Sequence, residues 1–395
     1  MIQGAFPLAT PHQSLEQLAE SFLDLWHHYD PVEARRFDWG GPAPVLVAFD
    51  KETVRQHGAA FRSIEAAVLE LELDALDHEI DRTILLAAIR PQIRRLDRDH
   101  PERHNPVFWT DRLVGVLSDR TGDAATLGAL PAWVDQLRAT LTNPPIGYLQ
   151  VALDDIGAAR SILARPDWWL SDKEALSQAA AGLDRLEQFL RHETTPNPAL
   201  DGGATDEESV SWYLHHAALV EVGSGQAARR LRQRSDAIRT QLEGEAKIEV
   251  VGFDQRGVVE AYRQGLQQQG SQIRRRIASP SWLAGFGLFG QVGLAETSPD
   301  RRIGLTAGLL RTHLAQLDLE IQLGETAIAA ALQDRAAWAV EIVRHPLEAT
   351  VAALHAIEWE HVRGKWAGDL ASFQLAVVEH GIMHPALASW RLGLG

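Results

Sequence analysis

Ser14 to Asp30 reads SLEQLAESFLDLWHHYD, and this stretch decides the fold class. Ser14 with Gln17 three residues later spells a capping box, in which side chains accept from the first N–H groups of a helix. Leu15, Leu18, Phe22, Leu25 and Trp26 recur at helical spacing, so one face is apolar. Asp30-Pro31 ends the run, because a proline disfavours helical backbone in the residue before it.

The same grammar extends to the C-terminus. Apolar periodicity predicts helices over about 51–72, 76–98, 147–163, 171–191, 206–222, 225–243 and 254–276, with three or four more across 300–390. Pro91 is expected to kink its helix. Pro131 is expected to occupy the first turn of a helix reaching Leu141. Only 247–251 has a strand-like look, and 279–298, rich in glycine and aromatics, reads as an irregular buried loop. The class is therefore all-α: a large multi-helix bundle of antiparallel neighbours joined by short breaks. Residues 1–395 read as a single helical body. The Pro/Gly-rich loop 194–205 is its best internal boundary, between sub-domains 1–193 and 206–395.

Composition bounds the function. The formal net charge is −15, which argues against nucleic acid as a partner, since phosphate binding needs a concentrated basic footprint. There is no cysteine, so disulfides, thiolate nucleophiles and sulfur metal ligands are excluded together. No apolar run approaches a membrane span and the N-terminus lacks a signal-peptide pattern, so a cytoplasmic protein is expected. No P-loop, nucleophile elbow or dinucleotide fingerprint is present. Asp154-Asp155 lacks the third acid of an isoprenoid-synthase motif.

Several segments, in order, resemble one family. They are Tyr29-Asp30-Pro31, the run Leu76 to Leu86, Asn105-Pro106-Val107-Phe108-Trp109, Arg311 to Gly324, His345-Pro346-Leu347-Glu348-Ala349, and Phe373 to Pro385. Together they resemble the DUF885 proteins, helical zinc-metallopeptidase-like enzymes. The resemblance implies a helical scaffold with a central cavity. It also implies an H-E-x-x-P-G-H zinc motif, which the chain lacks: Val259 and Gly265 stand where both histidines would be in the nearest echo. Gln322 and Gln374 replace histidines of two further elements. The expected protein is thus zinc-free, with no metal and no cofactor.

The remaining chemistry rests on residues that helical spacing puts on one face. Glu358 with His361 and His313 with Asp318 form the proposed catalytic set for acid–base work, Asp318 fitting both the resemblance and a local acid–base pattern. His380 and His384 with Glu379 form a third cluster at a helix end. Trp282, Phe286, Arg311, Trp212 and His215 are expected to bind substrate, the aromatics as walls of an apolar pocket. The expected function is a divergent enzyme acting on a small or peptide-like substrate in specialised biosynthesis. A non-catalytic ligand- or peptide-binding protein and a hydrolase with rearranged metal ligands are the alternatives.

Overall fold

The computed structural model describes residues 13–37, 41–119, 123–165, 172–197, 206–243, 271–277, 284–286, 289, 301–380 and 383–394. These residues are all-α, with no strand among them. The expected strand-like run 247–251, most of the helix 254–276 and most of the loop 279–298 lie outside the described residues. So does Trp282.

Two compact units divide the chain, and neither is one of the halves flanking 194–205. The first comprises 1–71, 91–204 and 327–344; the second comprises 72–90, 205–326 and 345–395.

In the first unit, α1 (Leu15–Tyr29) opens with the predicted capping box: Gln17 N donates to Ser14 Oγ at 3.3 Å, and Ser14 N donates to Gln17 Oε1 at 2.9 Å. Its apolar face places Phe22 and Trp26 out of solvent, each contributing roughly 1.5–3 kcal/mol by burial. α2 (Pro31–Phe37) follows at once, with proline at its first position. α3 (Lys51–Glu70) is capped by Asp50, whose carboxylate accepts from Glu52 N and Thr53 N.

α4 (Leu76–Arg94) runs through Pro91, which stands where the helix passes from the second unit to the first. A single π turn, Arg95–Asp99, follows it. Then come α5 (Pro101–His104), α6 (Pro106–Asp119), α7 (Ala124–Thr140), α8 (Ile146–Leu163) and α9 (Lys173–Gln188).

Pro131 does not start a helix. α7 begins seven residues earlier at Ala124, because Asp123 caps it by accepting from Ala125 N at 3.0 Å. The fully buried Leu127, Leu130 and Val134 hold the helix together across the missing proline N–H. Tyr29, Phe49, Phe108, Trp109 and Trp133 form an aromatic core in edge-on contacts 4.9–6.1 Å between ring centres.

The second unit holds α10 (Glu207–His216), α11 (Ser224–Glu243), α12 (Gln272–Arg276), α13 (Arg301–Gln322), α15 (Glu348–Gly364), α16 (Leu370–Glu379) and α17 (Pro385–Arg391). The intervening α14 (Ile328–Arg344) belongs to the first unit and packs on α6 and α8. The helix expected over 206–222 stops at His216; a turn follows in which Leu219 takes φ +58°.

α15 lies against α11, α13 and α17. One face joins Val210, Leu214, Leu231, Ala315 and Leu319 in a core, through Val351 and Leu354. Another meets Phe286 and Phe373 through Trp359, with ring centres 5.1 and 6.0 Å away. α15 is thus the central element of this unit, and its remaining face carries the site.

Candidate functional site: a buried histidine–glutamate cluster

His355 and Glu358 sit one turn apart on α15, and His384 stands at the start of α17. One ligand-type atom from each lies within 4.8 Å of the other two. His355 is 0% exposed and His384 1%. Glu358 keeps about one-fifth of its side chain in solvent, so it is the member an incoming molecule reaches first.

Each member is held by backbone or charge. His384 is the N-cap of α17, its Nδ1 accepting from Ala386 N at 3.1 Å. A ring nitrogen that accepts carries no hydrogen, so the proton of His384 is on Nε2. That atom lies 3.2 Å from Glu358 Oε2 and faces the carboxylate. On the other ring, His355 Nε2 is 2.9 Å from the Ala218 carbonyl and must donate to it, which leaves Nδ1 as the accepting atom. The two rings meet edge to face at 4.7 Å. Burial pushes the Glu358 carboxyl up, but its contact with the His384 Nε2–H and the nearby Arg230 charge outweigh it, holding the group below its ordinary value.

A backbone contact seats His355. A Cβ on Gly285 would come within 2.6 Å of the His355 Cβ and 2.9 Å of the Ala352 carbonyl. Neither neighbour is a flexible side-chain tip, so Gly285→Ala is expected to destabilise the protein by about 1–3 kcal/mol through overpacking. Chemical denaturation checks this; a variant within error of wild type would show that α15 can shift.

The expected site residues are not brought together. Glu358 is in the cluster, but its partners are His355 one turn earlier and His384, not His361, which is exposed. Asp318 is fully buried on α13 and serves the backbone of α15. Its Oδ1 accepts from Leu347 N at 2.9 Å and its Oδ2 from Thr350 N at 3.0 Å. Leu347, the N-cap residue, has φ +64° and no side-chain acceptor of its own, so Asp318 caps the helix from a neighbouring one.

His313 Nε2 instead accepts from Arg239 at 2.9 Å, with Ser235 Oγ at 3.1 Å. Ser235 and Arg239, with Gln316 and Glu320, help line a cleft of about 290 Å³ between α11 and α13. Phe286 is core, packed on Trp359 and 1% exposed, rather than a pocket wall. Trp212 meets His216 in a tilted contact with ring centres 5.0 Å apart, His215 is exposed, and Arg311 is half-buried on α13. Asp155 is buried against Thr110 and Arg344, a structural ion pair.

No protein-family model matches the chain, and no curated protein matches it. Among solved structures, a putative lipoprotein of unknown function from Shewanella oneidensis matches with a TM-score of 0.69 at 10% identity. The match covers 97% of this chain and 100% of that one. At this identity the likeness shows the fold alone. No described helix is long and apolar enough to cross a membrane.

Proposed function

We propose that the protein is an acid–base enzyme for a small or peptide-like substrate, working from Glu358 and His384. The observation that carries this reading is the 3.2 Å contact between His384 Nε2 and Glu358 Oε2, in a cluster where only Glu358 reaches solvent. Glu358, ionised near neutrality, accepts a proton from the substrate. His384, fixed by its cap to Ala386, keeps its Nε2–H against the carboxylate and orients it, and Glu358 returns the proton it took to the leaving group or product. His355 lies beneath them, its orientation set by the Ala218 carbonyl. A positioned acid or base of this kind contributes about 10²–10⁴-fold to a rate. The peptide-like substrate is taken from the resemblance to the DUF885 proteins.

The test is turnover of a panel of dipeptides, peptidyl anilides and small esters by the full chain, with EDTA present throughout. Glu358→Gln is expected to lower kcat/KM by about 100-fold, and His361→Ala to leave it unchanged. Full activity in Glu358→Gln, or no turnover of any panel member, would overturn the reading.

A further inference from the structure

We propose that His355 Nδ1, the Glu358 carboxylate and His384 Nε2 form a binding site for one divalent first-row transition cation, with Zn²⁺ the preferred occupant. This departs from the metal-free protein that the missing H-E-x-x-P-G-H motif leads one to expect. It uses the cluster of the acid–base reading without depending on that reading.

Three observations carry it. The first is donor chemistry. Two imidazoles and one carboxylate suit zinc, iron, cobalt or nickel, whereas magnesium and calcium favour all-oxygen sites. The second is distance. Bonds of about 2.0–2.1 Å to a tetrahedral ion place its ligands roughly 3.3 Å apart. Each of the three residues already brings one ligand-type atom within 4.8 Å of the other two, a gap that small side-chain rotations close. Two of them are one turn apart on α15, so only His384 comes from another element.

The third is the surrounding shell. His355 donates its other nitrogen to a backbone carbonyl, the contact that fixes tautomer and ring direction in metal-ligating histidines. His384 has to adjust. A cation at Nε2 displaces that proton to Nδ1, and Ala386 N–H then loses its acceptor. Cation and Nε2 proton are therefore alternative occupants, and the cap of α17 is intact only with the proton.

The experiment uses the full chain, stripped with chelator and titrated with CoCl₂ and then ZnCl₂. One Co²⁺ per chain with visible d–d bands, displaced by Zn²⁺, is expected. Imidazole ¹⁵N resonances of two of the sixteen histidines should shift on Zn²⁺ addition. Glu358→Gln and His384→Asn should each weaken binding by at least the roughly 100-fold that loss of even an outer-shell partner can cause. His361→Ala should bind as wild type does. No stoichiometric uptake, or shifts confined to other histidines, would overturn the site whether or not the variants fold. Uptake with no turnover on the panel sinks the acid–base reading and leaves the cation site standing. Turnover in EDTA without Zn²⁺ uptake does the reverse.

Discussion

Asp318→Ala is expected to destabilise the protein by about 3–5 kcal/mol. The substitution strips the acceptors from Leu347 N and Thr350 N, and a buried N–H left without a partner costs about 1–3 kcal/mol. Water cannot take over, because Asp318, Leu347 and Thr350 are all buried. The damage falls at the start of α15, about two turns before His355. Urea denaturation with far-UV dichroism measures the loss; a loss under about 1 kcal/mol would show that the N-terminus of α15 finds another cap.

The same residue makes stability depend on pH. Burial pushes the Asp318 carboxyl up to about 7 from its ordinary 3.8, although Thr350 and Leu347 donate to it and pull it down. The Thr350 hydroxyl lies 3.0 Å from both the Ala315 carbonyl and Asp318 Oδ2, but has one hydrogen. When it donates to Ala315, a protonated Asp318 completes the network by donating back to it. A raised folded value means that, between 3.8 and about 7, the folded chain keeps a proton the unfolded chain releases. This contribution is complete below the window and is lost as pH rises through it, on the order of 4 kcal/mol. Asp318→Asn cannot titrate. It should start less stable than wild type at low pH, having lost one acceptor, and the gap should narrow toward neutrality. A constant gap would mean that Asp318 is ionised throughout.

The helices were legible because their determinants are local. Ser14 and Gln17 are three residues apart, and Asp50 reaches only to Thr53. Pro131 misled because a proline at a first turn and one bridged by buried leucines look alike in sequence. The site was half legible. Glu358 stands out as a carboxylate between histidines, but His355 and His361 are each three residues away, on opposite sides along the chain. Which one it meets depends on which face of α15 turns toward Ala218 and Gly285, and those residues are more than 65 positions distant. The position of His384 beside Glu358 was likewise beyond local reading: the sequence reads it with His380 and Glu379 as a helix end, whereas it caps the start of α17. Asp318 was legible as an acid that fits both the family resemblance and a local acid–base pattern with His313. Its geometry makes it a cap, because the donors that claim it are backbone groups 29 and 32 residues away.

Asp30→Ala should bring a loss of similar size in the first unit, about 3–5 kcal/mol, by stranding buried cations. Sequence marks Asp30 only as the end of α1, where its N–H bonds the Trp26 carbonyl at 2.8 Å. The carboxylate is fully buried and accepts from Arg112 Nε at 3.0 Å, from Arg112 Nη2, and from Arg95 Nη1 at 3.1 Å. It thus joins α1, the π turn after α4, and α6, across separations of 65 and 82 residues. Arg112 is 11% exposed and stacks on Phe108 at 3.7 Å, so once unpaired it cannot swing into water without giving up that contact. Removing the cation as well should recover part of the loss: the double variant Asp30→Ala with Arg112→Met is expected to be more stable than Asp30→Ala alone, since a buried pair replaced whole is tolerated better than one broken. A four-way set of urea melts separates the cases. If the two changes simply add, Arg95 or water compensates Arg112, and Asp30 acts as a helix stop rather than the tie between three segments.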